Sequence, residues 1–122
     1  MRKLRMIVHN HEWLISLNDS ETANRLWQNL PVTAAANRWG EEIYFRVDID
    51  GASGTLQEVV AKGDVAFCPP ETLCVFFGPT PLSEGEEIRP ASPVIVVGRV
   101  GDNLAILKTV AEHDSVRVER AE

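Results

Sequence analysis

The sequence predicts a mainly β protein that folds as a closed or nearly closed barrel of about eight strands with two short helices. Three observations support this fold class. Short apolar runs whose side chains alternate with polar ones recur along the chain, with the period of a strand. Glycine and proline separate these runs, and only two stretches have helical spacing. Closing such a sheet removes its exposed edges, although an open two-layer sandwich fits the same pattern.

The first elements are a hairpin and a helix. Apolar and polar side chains alternate over residues 4–8 and 13–17, on either side of the polar stop His9-Asn10-His11. Residues 18–21 then supply side chains that cap helices. The helix that they begin carries apolar residues at helical spacing, namely Ala23, Leu26, Trp27 and Leu30.

The clearest strand of the sequence covers residues 43–49. It follows a strand of small residues at 32–36 and a loop at 37–40. Its aliphatic and aromatic residues Ile43, Phe45, Val47 and Ile49 share one face, and Glu42, Tyr44, Arg46 and Asp48 share the other. If the first face fills the barrel, Arg46 points outward.

The second half of the chain contains shorter signals of the same kind. Residues 56–61 fit a strand or a helical turn, and the glycine-rich segment before them is a loop. A long polar loop runs from Thr80 to about Pro93. The remaining predicted elements are strands at 65–68, 73–77, 94–97 and 116–118 and a helix over residues 104–111.

Composition narrows the classes of partner. The chain has 122 residues, 18 acidic and 12 basic side chains and a net charge of −6, which suits a single domain over residues 1–122. An acidic chain without a basic patch argues against nucleic acid. Because no segment approaches the roughly 20 apolar residues of a membrane-spanning helix, we expect a cytoplasmic protein without a membrane partner. In that compartment Cys68 and Cys74 are expected to stay reduced.

Four motifs carry a resemblance to a known family. They are NRWGEEIYF at 37–45, GDV at 63–65 with Pro69-Pro70, FFGPTP at 76–81, and PAS at 90–92 leading into Val97-Gly98. In these motifs the chain resembles a prokaryotic family of small cyclophilin-like proteins of unknown function. The resemblance covers nearly the whole chain and implies a barrel like that of the peptidyl-prolyl isomerases.

The resemblance also implies a site on the outer face of the barrel. Tyr44-Phe45-Arg46 is similar to the strand that carries the catalytic arginine of cyclophilins, so Arg46 is the candidate catalytic residue. Phe77, the second of the paired phenylalanines, is the candidate for the proline pocket, and Phe76 is assigned to the core. The candidate binding residues are Tyr44, Phe67, Val75 and Phe77, with Trp39 in a loop beside them.

The departures from cyclophilins leave an enzymatic activity open. Residues 50–54, after the arginine strand, contain no equivalent of the cyclophilin glutamine, Val75 replaces a second groove glutamine, and Val94 stands where the groove histidine belongs. The first hypothesis is therefore a binding module for a small molecule or a peptide segment, and the second is a weak prolyl isomerase that uses Arg46. The third is a homo-oligomer that associates through an apolar patch.

Other chemistry is less well supported. We expect no cofactor, and no metal, because His9 and His11 lack further ligands. The acidic pairs Glu41-Glu42 and Glu86-Glu87 are interpreted as solvated carboxylates.

Overall fold

Nine strands form a single antiparallel sheet that curls into a nearly closed barrel. The computed structural model describes residues 2–121. The strands are β1 (Lys3–Val8), β2 (His11–Leu17), β3 (Val32–Ala35), β4 (Asn37–Arg38), β5 (Glu42–Arg46), β6 (Asp64–Cys68), β7 (Thr72–Phe76), β8 (Ile95–Val100) and β9 (Ser115–Arg120).

One short segment joins the two ends of the sheet. The strand order is β3-β9-β1-β2-β8-β6-β7-β5-β4, so β3 and β4 lie at opposite ends. These two strands follow one another along the chain, with only Ala36 between them. The barrel of the sequence prediction is thereby confirmed over the sandwich. The predicted loop at 37–40 is wrong for its first two residues, because they pair with Tyr44 and Ile43 as strand β4.

Alternation along β5 and β7 separates the inside of the barrel from the outside. Ile43, Phe45 and Val47 are buried in the interior core, as predicted, whereas Arg46 is exposed. Across the ladder Ile43 lies opposite Val75 and Phe45 opposite Leu73, so these β7 residues face inward too. The intervening residues of both strands face outward.

Two helices contribute buried side chains to the interior core. Helix α1 (Glu21–Gln28) begins at Ser20, whose hydroxyl accepts a hydrogen bond from the backbone N–H of Ala23. The second predicted helix is a 3₁₀ helix over Leu104–Thr109 rather than an α-helix. Of the helices in residues 2–121, none has the length and apolar character that crossing a bilayer requires.

A second, smaller core lies on the outside of the barrel. We call it the outer cluster; its buried members are Val60, Ala66, Cys74, Phe76, Ile88 and Val94. The segment predicted as a strand or helical turn at 56–61 is neither: it makes only single bridges, from Gln57 to Val94 and from Val60 to Ile88. Those bridges hold two irregular segments of the chain against the outer face.

Candidate functional site

The predicted groove does not form as one surface, because three of its walls face the wrong way. Phe67, Val75 and Phe77 belong to the interior core and are at most 2% exposed. Phe67 lies opposite Leu73 on β7, and the period of two along that strand continues through Val75 to Phe77. Both phenylalanines of the pair are buried, and they lie on opposite faces of the sheet. Phe76 belongs to the outer cluster, and Phe77 packs inside the barrel.

Arg46 points outward, as predicted, but it lies far along the strand from Phe77. It is paired with Thr72 at one end of β7, whereas Phe77 follows the other end. The Arg46 side chain is 69% exposed, and its guanidinium forms ion pairs with Glu71 at 3.0 Å and Asp48 at 3.7 Å. It lines an open depression of about 580 Å³ between β3 and β5, together with Asn29 and Thr33 among others. None of the described residues that line this depression is aromatic, so the predicted aromatic hollow beside the Arg46 guanidinium does not form there.

A different cleft opens on the outer face and includes two of the predicted binding residues. Its volume is about 390 Å³, within the size range of small-molecule sites. We call it the outer cleft; its lining residues are Trp39, Glu42, Tyr44, Cys68, Thr72, Cys74, Pro90, Ala91, Ser92 and Val94. The structure thus brings Trp39 and Tyr44 together and separates them from Phe67, Val75 and Phe77.

The floor of the outer cleft is a product of strand register. Tyr44 lies opposite Cys74 on β7, and Cys68 of β6 lies opposite Thr72. Because side chains at opposed positions share a face, all four stand on the outside of the barrel. The floor is therefore formed by three neighbouring strands of the sheet, β6, β7 and β5.

The remaining wall of the outer cleft is the segment from Pro90 to Val94, which is anchored at both ends. Gln57 and Val94 exchange backbone hydrogen bonds of 2.7 and 3.0 Å. Before the segment, the Ser83 hydroxyl accepts from the backbone N–H groups of Thr80 and Arg89 at 2.9 and 3.1 Å. The loop that the sequence predicts as long and polar is consequently ordered by its own side chains.

Glu42 is the residue of the outer cleft that the sequence did not single out. The sequence predicts a solvated carboxylate at this position, but Glu42 is only 5% exposed. Its Oε1 atom is buried and has no hydrogen-bond partner within residues 2–121. Burial raises its pKa from 4.5 to about 7, and a hydrogen bond from the Cys74 thiol offsets this in part. Near neutral pH the carboxyl group can accordingly accept or release a proton.

The two thiols beside Glu42 are free but are not activated. Burial raises the pKa of Cys74, and the negative charge of Glu42 raises it further. The pKa of Cys68 is raised for the same two reasons, in the same order. Because the thiolate is the nucleophilic form, neither cysteine is prepared for nucleophilic catalysis. The cleft is suited to binding and proton exchange.

The other predicted features lie elsewhere. His9 forms an ion pair with Asp114 at 3.2 Å, and the ring of His11 lies beside that of Trp13. Nowhere within residues 2–121 do three or more metal-ligating side chains come together. A third cavity of about 330 Å³, lined by Phe77 among others, contains the ion pair of Lys108 with Glu41 at 3.6 Å. Glu41 is thus paired, whereas its neighbour Glu42 is not.

Comparison with known proteins bears on the family and the fold. The model of a protein family described as cyclophilin-like matches residues 2–119. The solution structure of a hypothetical protein from Archaeoglobus fulgidus has a TM-score of 0.82 to this structure at 39% sequence identity, covering 98% of this chain and 95% of that one. Among curated proteins none matches significantly. These descriptions name no ligand and no reaction.

Proposed function

The chain belongs to the cyclophilin-like family, and from that premise we propose that it is a binding module whose outer cleft holds a small molecule or a short peptide segment. The observation that carries the proposal is the carboxyl group of Glu42, which is buried in the cleft with one oxygen unpartnered. Buried polar atoms are nearly always hydrogen-bonded, so an unpartnered one in a cleft indicates a missing partner.

The composition of the outer cleft supports the same proposal. Most of its surface is apolar, and a few polar groups are grouped in it, which is the usual makeup of a ligand site. The side chains of Trp39 and Tyr44 are half-buried there and offer aromatic surface to an occupant. By contrast, Arg46 and Lys108, which line the two cavities described above, already have ionic partners within the protein.

The test is a titration of ¹⁵N-labelled protein with aromatic fragments, in equal numbers of cationic, neutral and anionic compounds, and with a proline-containing tetrapeptide. We expect chemical-shift changes at Trp39, Tyr44, Cys68 and Ser92, which line the outer cleft. Truncating Trp39 to alanine should weaken the binding of the best fragment by about 3- to 10-fold, because an aromatic contact is lost.

Trp27→Ala is the matched control, because Trp27 is also half-buried but lies outside the cleft, against Arg2 and Arg120. It should leave fragment binding unchanged. Shifts confined to other surfaces, or no shifts with any compound, would exclude the outer cleft as a binding site.

Weak prolyl isomerisation by Arg46 is the alternative function, and it has less support. A guanidinium can lower the barrier to rotation by donating to the amide nitrogen of a twisting bond, provided that it is held over the substrate. Arg46 is accessible, but it is already paired with Glu71 and Asp48.

We expect a protease-coupled assay on a prolyl tetrapeptide to give the same rate for the wild type and for Arg46→Ala. The variant should unfold within about 0.5 kcal/mol of the wild type, because exposed ion pairs contribute little stability. A rate above background that disappears in Arg46→Ala would establish the isomerase instead.

A further inference from the structure

The outer cleft contains a negative charge without a positive counterpart. Among the described residues that line it, Glu42 alone carries a carboxyl or basic group, and the rest are aromatic, aliphatic, hydroxyl or thiol side chains. A carboxylate in such surroundings is costly to ionise unless a cation or several hydrogen-bond donors face it. The Cys74 thiol is a weak donor and supplies neither.

Two basic side chains, Arg46 on the strand of Glu42 and Lys108 beside its neighbour Glu41, are engaged with other carboxylates. Arg46 stands on the same face of β5 as Tyr44, but its guanidinium is bound to Glu71 and Asp48. Lys108 pairs with Glu41, on the other side of the strand from the cleft. The ionised form of Glu42 therefore has no cationic partner among the described residues that line the outer cleft.

We infer that the outer cleft takes an organic cation, a positively charged nitrogen group on an apolar or aromatic body, whose N–H protons donate to Glu42. The inference rests on the proposed function and names the ligand class. Such a ligand supplies the positive charge and the hydrogen-bond donors that the ionised carboxylate lacks. The terminal torsion of glutamate is soft, so the carboxylate can rotate to face an occupant.

The aromatic residues at the cleft fit the same class of ligand. Trp39 and Tyr44 both line it, and the faces of their rings attract cations. An anionic ligand would meet the Glu42 charge in an apolar site, and a neutral ligand would leave that charge uncompensated. The cleft thus discriminates by charge as well as by shape.

Binding of a cation to Glu42 must depend on pH, because only the ionised carboxyl group pairs with it. The free carboxyl group has a pKa of about 7. The other titratable groups facing it are Cys74 of β7, Cys68 of β6 and Tyr44 of its own strand. The raised pKa values keep both thiols neutral as Glu42 titrates.

The charged groups on the surrounding elements do not change the expected pH dependence of cation binding. Arg46 is exposed and remains paired, and the loop before the cleft carries Arg89 bound to Glu87 at 2.7 Å, an ion pair that does not line the cleft. A cation that stays protonated throughout should accordingly bind about tenfold more weakly at pH 6 than at pH 8, following the ionised fraction of Glu42.

The experiment compares benzamidine with its neutral and anionic analogues benzamide and benzoate, by titrating ¹⁵N-labelled wild-type protein and two variants. We expect benzamidine to shift the signals of the cleft residues, benzamide to bind at least tenfold more weakly and benzoate not to bind. Glu42→Gln keeps the shape of the side chain and should abolish the preference for benzamidine and its pH dependence. Glu41→Gln, which removes the neighbouring charge, should change neither.

The outcomes separate the inference from the proposed function. Equal binding of benzamidine and benzamide, or a preference that persists in Glu42→Gln, would overturn the inference and leave a charge-indifferent binding site. Neutral or anionic fragments that occupy the cleft while benzamidine does not would overturn it as well. If no compound of the larger panel binds there, the proposed function itself fails.

Discussion

Replacing Phe77 by alanine is expected to lower the free energy of unfolding by about 3–5 kcal/mol, the range for large aromatic residues in protein cores. Phe77 is 2% exposed and packs inside the barrel. Its ring also lies under the guanidinium of Arg38, whose central carbon is 5.2 Å from the ring centroid. That guanidinium donates to the carbonyl of Val110 at 2.6 Å, so the ring supports a contact between β4 and the segment after the 3₁₀ helix.

The measurement is urea unfolding of the wild type, Phe77→Ala and Phe77→Leu at one pH. The leucine variant leaves a smaller cavity and should lose clearly less stability than the alanine variant. Fragment binding in the outer cleft should survive in Phe77→Leu, because Phe77 does not line that cleft. Full stability of Phe77→Ala combined with lost fragment binding would return Phe77 to the pocket role that the family resemblance implies.

Glu42→Gln should change the dependence of stability on pH by about 3 kcal/mol. The pKa of this carboxyl group is 4.5 when unperturbed and about 7 in the folded protein. Between these values the folded state binds more protons than the unfolded state, so Glu42 lowers the stability of the wild type as the pH rises from 4.5 to 7. Glutamine does not titrate and removes this loss. The variant should thus gain on the wild type across that interval and keep its gain above it.

The measurement is urea unfolding of the wild type and of Glu42→Gln at several pH values from 4.5 to 8, spanning both pKa values. Carboxyl groups with lowered pKa values contribute stability that rises with pH. Asp114 is one of them, because the backbone N–H of Ala111 donates a hydrogen bond to it and lowers its pKa. They contribute equally to both proteins and cancel in the difference. Glu41→Gln serves as the control. A difference between Glu42→Gln and the wild type that stays constant with pH would show that the carboxyl group is not held protonated.

Local pattern was sufficient to predict the barrel and the faces of its clearest strand. Ile43 and Phe45 alternate with Tyr44 and Arg46, and the structure places the first pair inside. The pattern does not decide the faces of Phe76 and Phe77, because two aromatic residues follow one another, and their predicted roles rest on the family resemblance alone. There the pairing of β7 with β5 and β6 fixes the orientation, and a local sequence pattern does not contain that register.

The importance of Glu42 could not be predicted from its neighbours. An acidic residue beside another on a strand is usually solvated. Glu42 is buried because its strand faces the outer cluster, which the distant Ile88 and Val94 help to form. Desolvation is a tertiary effect, so the raised pKa that follows from it was invisible in the sequence.

The position of β9 has a consequence for the timing of folding. This strand pairs with both β1 and β3. These two strands do not pair with each other, so β9 is what joins them in the sheet. The β1 edge of the first hairpin therefore stays uncovered until β9 is available to pair with it. Docking of residues 115–120, rather than formation of the hairpin, is the step that protects this edge from pairing with other chains.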